Sequence, residues 1–351
     1  MTYYYSFNDT LGYMMTPALN VSATYARLLL HSNRCSPSAL LAGTGLNAAQ
    51  LARHDYLDWQ VMASLLRNFD RQQAQPSWPA ELGAQFNMAA HGPLGFAALS
   101  APTLGAALEV MAGFTPVRLT TAIVATETRA DRFLLTMRDA TGDALFAHWI
   151  EAIVFKVLES LLGAILGHPV GANVMLTFSG PAPPAAEALA ACYTARVAFA
   201  APVAALSVPA SWLALPSPLH DEAVYRGNLA RCRDILASRA DQMSVPQRVQ
   251  MLLRSHFDAS RLAPAPPPTL EQLAAQLHLT PRTLIRRLQH DGGSYRDTLD
   301  QLRQRYAAEL LREARYTVAD VAEILGYREQ ANFGRAFRRW FGLSPSAWRR
   351  Q

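Results

Sequence analysis

Apolar positions recur at helix spacing through much of the first 73 residues. Val21–Leu30 and Tyr56–Phe69 place them at i, i+3 and i+4, so 19–73 reads as helical. Ser36-Pro37 starts a further helix in that stretch, and Gly43 and Gly45 end it. Pro76–Pro79 reads as a loop. The segment HGPLGFAALSAPTLGAALEVMAGF (91–114) opens on a Gly/Pro turn. It continues as a short apolar segment and a helix capped near Pro102-Thr103. The period then changes. Thr120–Thr128 is β-branched, and Arg132–Arg138 is its hairpin partner across Arg129–Asp131. A long helix over 143–166 follows, then a strand at Val174–Phe178, a helix at Pro184–Tyr193 and short strands at Arg196–Phe199 and Ala205–Val208. Helices followed by mixed strands and helices predict an α+β domain over 1–218. Residues 219–240 read as helix, and 219–244 as a helical linker.

The C-terminal part, 245–351, reads as all-α. A helix at 246–258 ends before Leu262-Ala-Pro-Ala-Pro-Pro-Pro268, which cannot be helical. Two segments then repeat one plan of short helix, turn and second helix: TLEQLAAQLHLTPRTLIRRLQ within 269–290 and TVADVAEILGYREQANFGRAFRRWFG, whose motif spans 317–340. In the second, Thr317 is an N-cap with Asp320 three residues on, an approximate capping box. Gly326 falls four residues after the small Ala322, at a helix end where a left-handed residue costs least. In the first, Ala274 and His278 repeat that offset, with histidine in place of glycine. Thr280-Pro281 is an N-cap with Pro at the first helical position. The helix Ser294–Ala314 joins the two motifs. About 20 helical residues span about 30 Å, close to the roughly 34 Å between successive major grooves on one face of DNA.

The layout is that of a helix-turn-helix that lays its second helix in the major groove. Phe333, Phe337 and Trp340 anchor that helix in the second motif, leaving Gln330, Asn332, Arg335, Arg338 and Arg339 opposite. In the first, Leu284 and Leu288 face inward, leaving Arg282, Arg286 and Gln289 on the opposite face and Arg287 at the edge, with Thr283 a further candidate DNA contact. Arg pairs with guanine edges and Gln or Asn with adenine; Arg338 and Arg339, farther along, read as phosphate contacts. Charge sharpens this picture. Residues 245–351 hold 17 Arg and Lys against 10 Asp and Glu, whereas 1–244 hold 15 against 17. The basic surplus therefore belongs to the C-terminal part, the footprint of a nucleic-acid module.

The remaining chemistry is sparse. Cys35, Cys192 and Cys232 have no metal-ligand spacing and read as reduced thiols of a cytoplasmic protein. The N-terminus, MTYYYSFNDT, has no signal-peptide pattern. The apolar run Ala144–Leu166 carries Glu151, Lys156 and Glu159 and reads as a core-facing helix rather than a membrane span. No nucleophile–base order, phosphate-cradling loop, cofactor site or metal site stands out, so the chain does not read as an enzyme. His148 with Glu151 is at best a weak pair, and His54 and His91 have no visible ligand partner. Tyr3-Tyr4-Tyr5 reads as cover for a domain edge or as pocket lining.

The stretch ADVAEILGYREQANFGRAFRRWFGLSPSAWR, within a match over roughly 245–350, resembles the DNA-binding domain of the AraC/XylS family of bacterial transcription regulators. The resemblance implies two helix-turn-helix units bound to promoter double-stranded DNA, most often in an activator that contacts RNA polymerase. By motif match the base readers are Arg282, Arg286, Gln330, Asn332 and Arg335. His278 departs from the family's usual glycine, and Ile285 stands where a polar residue is frequent. More loosely, residues 20–215 resemble the arabinose-binding-like regulatory domain of the ornithine-utilisation and virulence-regulator type. The carrying segments are HGPLGFAALSAPTLGAAL (91–108) and YTARVAFAAPVAALSVPASWL (193–213). That implies a small-molecule effector and homodimerisation. The apolar character of the domain points to an apolar or amphipathic effector, such as a fatty acid or acyl compound. The alternative is an effector-independent regulator whose N-terminal domain serves only dimerisation or polymerase contact. A methyl-accepting DNA-repair protein shares the DNA-binding module, but its thiol needs a neighbouring base, which none of the three cysteines has in sequence.

Overall fold

The computed structural model describes residues 19–242, 244–261, 264–313 and 316–350. Tyr3-Tyr4-Tyr5, Leu262, Ala263 and Ala314, all read above, lie outside them. Ala18–Ser238 forms one compact unit, the N-terminal domain, and Arg239–Gln351 falls in a second, the C-terminal domain.

The N-terminal domain is α+β, as expected. Strand β1 (Asn20–Ser22) leads into α1 (Ala23–Leu30), α2 (Pro37–Leu41) and α3 (Ala48–Arg53), and pairs antiparallel with β2 (Tyr56–Asp58). These two strands correct the all-helical reading of 19–73. Each has only three residues, too few to impose a two-residue period on a helix-length window. Asp58 must also be extended to cap α4 (Trp59–Asp70), where its carboxylate accepts from Gln60 N at 2.8 Å. The expected Pro76–Pro79 loop is also shorter than read. Helix α5 (Trp78–Gln85) starts inside it, because Pro79 sits in the first turn, where no backbone N–H is required. Helices α6 (Pro93–Leu99) and α7 (Leu104–Phe114) follow, the latter capped by Thr103.

The hairpin forms as β3 (Ala122–Arg129) and β4 (Arg132–Asp139), with Arg129 opposite Arg132. Phe133, Leu135 and Met137 alternate inward on β4, the two-residue period of a half-buried strand. After α8 (Ala144–Leu166) come β5 (Met175–Ser179), α9 (Ala186–Ala190), β6 (Arg196–Ala201) and β7 (Ala204–Pro209). The five-stranded sheet runs β3-β4-β7-β5-β6, with only the β5–β6 pair parallel. Helix α10 (Glu222–Gln242) packs Cys232, Ile235 and Leu236 on the N-terminal core.

Helix α8 runs through that core, and its charges are tied down inside it. Glu159 accepts from Thr194 N at 2.7 Å, Ala195 N at 2.9 Å and Lys156 Nζ at 2.6 Å. Glu151 accepts from the Ser179 backbone N–H at 3.0 Å and from its hydroxyl. Glu151 thus pins α8 to β5 and Glu159 pins it to the segment that enters β6, and no described helix is long and apolar enough to cross a membrane. His148 does not pair with Glu151; its ring lies 5.8 Å from that of Phe178.

Burial raises the Glu151 carboxyl from its usual 4.5 to about 7, against the opposing Ser179 hydrogen bonds. The folded state therefore holds a proton there that the unfolded chain releases at lower pH. Stability from that proton is complete below about 4.5 and is lost as pH rises to about 7. His91 acts with the opposite sign over an overlapping range, so the difference between two chains is the informative quantity. Glu151→Gln is expected to gain on the native chain by on the order of 2 kcal/mol between pH 4.5 and 7. Parallel denaturant titrations across that range check this; a constant difference would show that Glu151 does not hold the proton.

The C-terminal domain is all-α: α11 (Val245–Ser260), α12 (Leu270–Gln276), α13 (Pro281–His290), α14 (Tyr295–Arg312), α15 (Val318–Ile324), α16 (Gln330–Phe341) and α17 (Pro345–Arg349). Its core gathers Phe257, Leu273, Leu284, Tyr306, Phe333 and Phe337 around α14. Arg261, after α11, reaches Glu309 at 3.3 Å and Glu313 at 3.0 Å, tying the domain's first helix to α14.

Candidate nucleic-acid interface

Both helix-turn-helix motifs are built by the same local rules. In the first, Thr269 N donates to Gln272 Oε1 at 2.8 Å, and Gln272 N donates back to Thr269 Oγ1 at 3.3 Å. In the second, Thr317 N donates to Asp320 Oδ2 at 2.7 Å and Asp320 N to Thr317 Oγ1 at 3.1 Å. Each is a full capping box satisfying two of the orphan N–H groups at a helix start. The Thr269–Gln272 box is legible as an S/T-x-x-Q pattern, yet only its partner stands out on a first reading.

The turns match as closely. His278 and Gly326 have φ of 54° and 74°. After them, Leu279 N donates to Ala274 O at 2.8 Å and Tyr327 N to Ala322 O at 2.9 Å. Histidine thus occupies the left-handed position expected of it. Gly326 is confined further: a Cβ there would lie 2.4 Å from Pro267 Cδ. The proline-rich segment therefore packs against the second turn, a use that composition alone does not show.

Beyond the turns the two motifs fall out of step by one residue. Ala274 matches Ala322, but the inward Leu284 and Leu288 match Phe333 and Phe337. The second turn is one residue longer. Thr283 therefore corresponds to Asn332, Arg286 to Arg335 and Gln289 to Arg338, whereas Arg282 and Arg287 correspond to Ala331 and Ala336. The common face of the two motifs is a small polar residue followed three positions later by arginine.

Arg282, Arg286 and Arg287 are exposed, and no protein partner holds them among the described residues. The Thr283 hydroxyl meets that of Thr280 at 2.8 Å, inside the cap of α13. Gln330, Arg335 and Arg338 are exposed; Asn332 is half-buried and accepts from the Arg335 guanidinium. Arg339 is different, since it reaches Asp300 of α14 at 2.9 Å, so its charge is partly answered within the protein. Sequence reading passed over Arg303, whose Nε donates to Leu325 O at 3.1 Å while its guanidinium stacks 4.6 Å from the Tyr327 ring. It clamps the second turn to α14 and so fixes the base of α16. Arg349 does similar work on the Leu311 and Tyr316 carbonyls.

The described residues hold no His, Cys, Asp or Glu group able to bind a metal ion. Burial pushes all three thiols up, Cys232 to about 11, away from a nucleophilic thiolate.

Comparison with known sequences agrees with this layout. A family model described as the arabinose-binding domain of AraC transcription regulator, N-term, matches residues 35–217. A helix-turn-helix domain matches 273–351. The Ornithine utilization regulator of Pseudomonas aeruginosa is 30% identical over 279 residues, covering 78% of this chain and 79% of the relative. An uncharacterized HTH-type transcriptional regulator of Mycobacterium tuberculosis is 28% identical over 97% of this chain and all of its own length. The crystal structure of the Pseudomonas aeruginosa regulator CdpR shares 23% identity over 83% of this chain and 91% of its own, with a TM-score of 0.41. The chain belongs to the AraC family of transcription regulators, with an arabinose-binding-type N-terminal domain and a helix-turn-helix DNA-binding domain.

Proposed function

We propose that this chain is a cytoplasmic, effector-controlled transcription activator that reads promoter DNA with α13 and α16. One observation carries the reading of the interface. Two cap-and-turn motifs stand on one core, and each presents a small polar residue and an arginine, Thr283 with Arg286 and Asn332 with Arg335. Arg282, Arg286, Gln330, Asn332 and Arg335 read bases; Arg287 and Arg338 hold phosphates, and Arg339 holds one more weakly because Asp300 competes for it. Ile285, 41% exposed on α13, suits the methyl group of thymine.

Family membership supports activation through RNA polymerase and homodimerisation through the N-terminal domain. The relative named for ornithine utilization supports control by a metabolite. Control by an effector, rather than by dimerisation alone, is favoured by a cavity inside the N-terminal domain. DNA affinity should be steeply salt-dependent, with log K falling by roughly 0.9 per phosphate contact for each unit of log salt. Fluorescence anisotropy of the full chain on promoter fragments between 50 and 200 mM salt checks this. A flat dependence would remove the arginines of α13 and α16 from the interface.

A further inference from the structure

The cavity lies in the middle of the N-terminal domain and has about 80 Å³ open to water centres, against the about 10–15 Å³ that one water needs. Most of its wall is aliphatic or thioether, including Leu29, Met62, Leu66, Met111, Ile150 and Val157. The lining holds no Asp or Glu. Its principal polar groups are gathered from three segments far apart in sequence: Tyr25 on α1, His91 before α6 and Arg118 after α7.

These three are organised. The Tyr25 hydroxyl meets His91 Nδ1 at 2.7 Å, and the Tyr25 ring stacks on Phe86 at 5.3 Å. The Arg118 guanidinium lies 5.1 Å from the Tyr25 ring and donates one N–H to Ala90 O at 2.9 Å. Gly95 helps set this corner, since a Cβ there would lie 1.9 Å from Met88 O and 3.0 Å from His91 Cβ. His91 is 6% exposed, and its Nε2 has no partner; neither has the buried Nε of Arg118. Burial, and then the Arg118 charge, hold His91 down to about 4, so its ring is neutral. If the Tyr25 hydroxyl is the donor to Nδ1, the proton of the neutral ring lies on Nε2, a buried atom that no hydrogen-bond partner meets. No carboxylate pairs with Arg118 among the described residues. Buried donors beside an unanswered guanidinium are costly unless an acceptor, best an anionic one, meets them.

We propose that this cavity binds an amphipathic monocarboxylate, with the carboxylate on Arg118 and His91 and an apolar tail among the side chains of α4, α7 and α8. The proposal rests on the reading that the N-terminal domain takes an effector, and it names the effector's class and its head-group site. An α-amino acid of the same length is disfavoured, because no acid in the lining receives its ammonium group.

The test is thermal unfolding of the full chain with octanoate, octanol, octylamine and 2-aminooctanoate, with acetate as the tail-free control. Octanoate is expected to raise the melting temperature saturably, with the other four binding at least ten-fold more weakly. Arg118→Gln is expected to weaken octanoate at least ten-fold, with Arg118→Lys recovering part of the loss. Should Arg118→Gln unfold, Met111→Trp, which fills the tail end, serves instead and is expected to abolish octanoate binding. Equal binding of octanol, or tighter binding of either amine, would overturn the head-group assignment. Equal binding of acetate would overturn the tail. Stabilisation by some other metabolite, with none by octanoate, would overturn the class and leave effector control standing. No stabilisation by any member of a broad metabolite panel would overturn both.

Discussion

Gly326→Ala is expected to destabilise the C-terminal domain by about 2–5 kcal/mol. Two costs combine. A side chain in the left-handed region costs roughly 1–2 kcal/mol. A Cβ placed 2.4 Å from Pro267 Cδ forces the proline-rich segment off the turn, and such overpacking costs about 1–3 kcal/mol. Neither ring nor backbone there is the far end of a flexible side chain, so the strain has few outlets. The equivalent position in the first motif is a built-in control, because His278 already holds φ at 54° with a side chain attached. His278→Gly relieves the left-handed cost but enlarges unfolded-state freedom by about 0.5–1 kcal/mol, so its net effect should be small. Amide exchange of α12 and α15 in the full chain under mild denaturant separates the two turns. Equal costs for Gly326→Ala and His278→Ala would mean that Pro267 does not confine the second turn.

The contrast between these turns also shows what the sequence could convey. Caps, turns and inward positions depend on neighbours within a few residues, and so Thr317, Gly326, Thr280-Pro281 and Phe333/Phe337 were legible. The hairpin across Arg129–Asp131 was legible for the same reason. β1 and β2 were not, because their pairing joins Asn20 to Asp58 and each strand is shorter than a helical turn. Pro76 and Pro79 hid the start of α5, although Pro79 suits a first turn. On the interface, residue types were visible but their pairing was not. Only the packed positions of Leu284 and Phe333 reveal the extra residue in the second turn, and only the fold brings Arg339 to Asp300. The cavity was least legible of all. His91 looked partnerless because its partner, Tyr25, lies 66 residues away, and Arg118 comes from a third segment.

Arg286→Ala combined with Arg335→Ala is expected to weaken binding to the preferred operator by about 2–6 kcal/mol, roughly 30-fold to more than 10⁴-fold. Each arginine stands at the same face position of its own motif, and each bidentate base contact is worth about 1–3 kcal/mol. The two contacts share no partner and belong to different motifs, so their costs should add. The loss should also be selective. Each single variant should relax preference at its own base pairs, whereas Arg338→Ala should weaken all sequences alike and lower the salt slope by about 1. Arg339→Ala should cost less than Arg338→Ala, because Asp300 already answers part of its charge. Asn332 accepts from Arg335, so Asn332→Ala and Arg335→Ala should cost less together than the sum of their separate losses. Binding of the full chain to a randomised oligonucleotide library at one fixed salt concentration measures all of these. If the double variant weakened every sequence equally, Arg286 and Arg335 would be phosphate contacts, and the reading face would have to be sought at Arg282 and Gln330 instead.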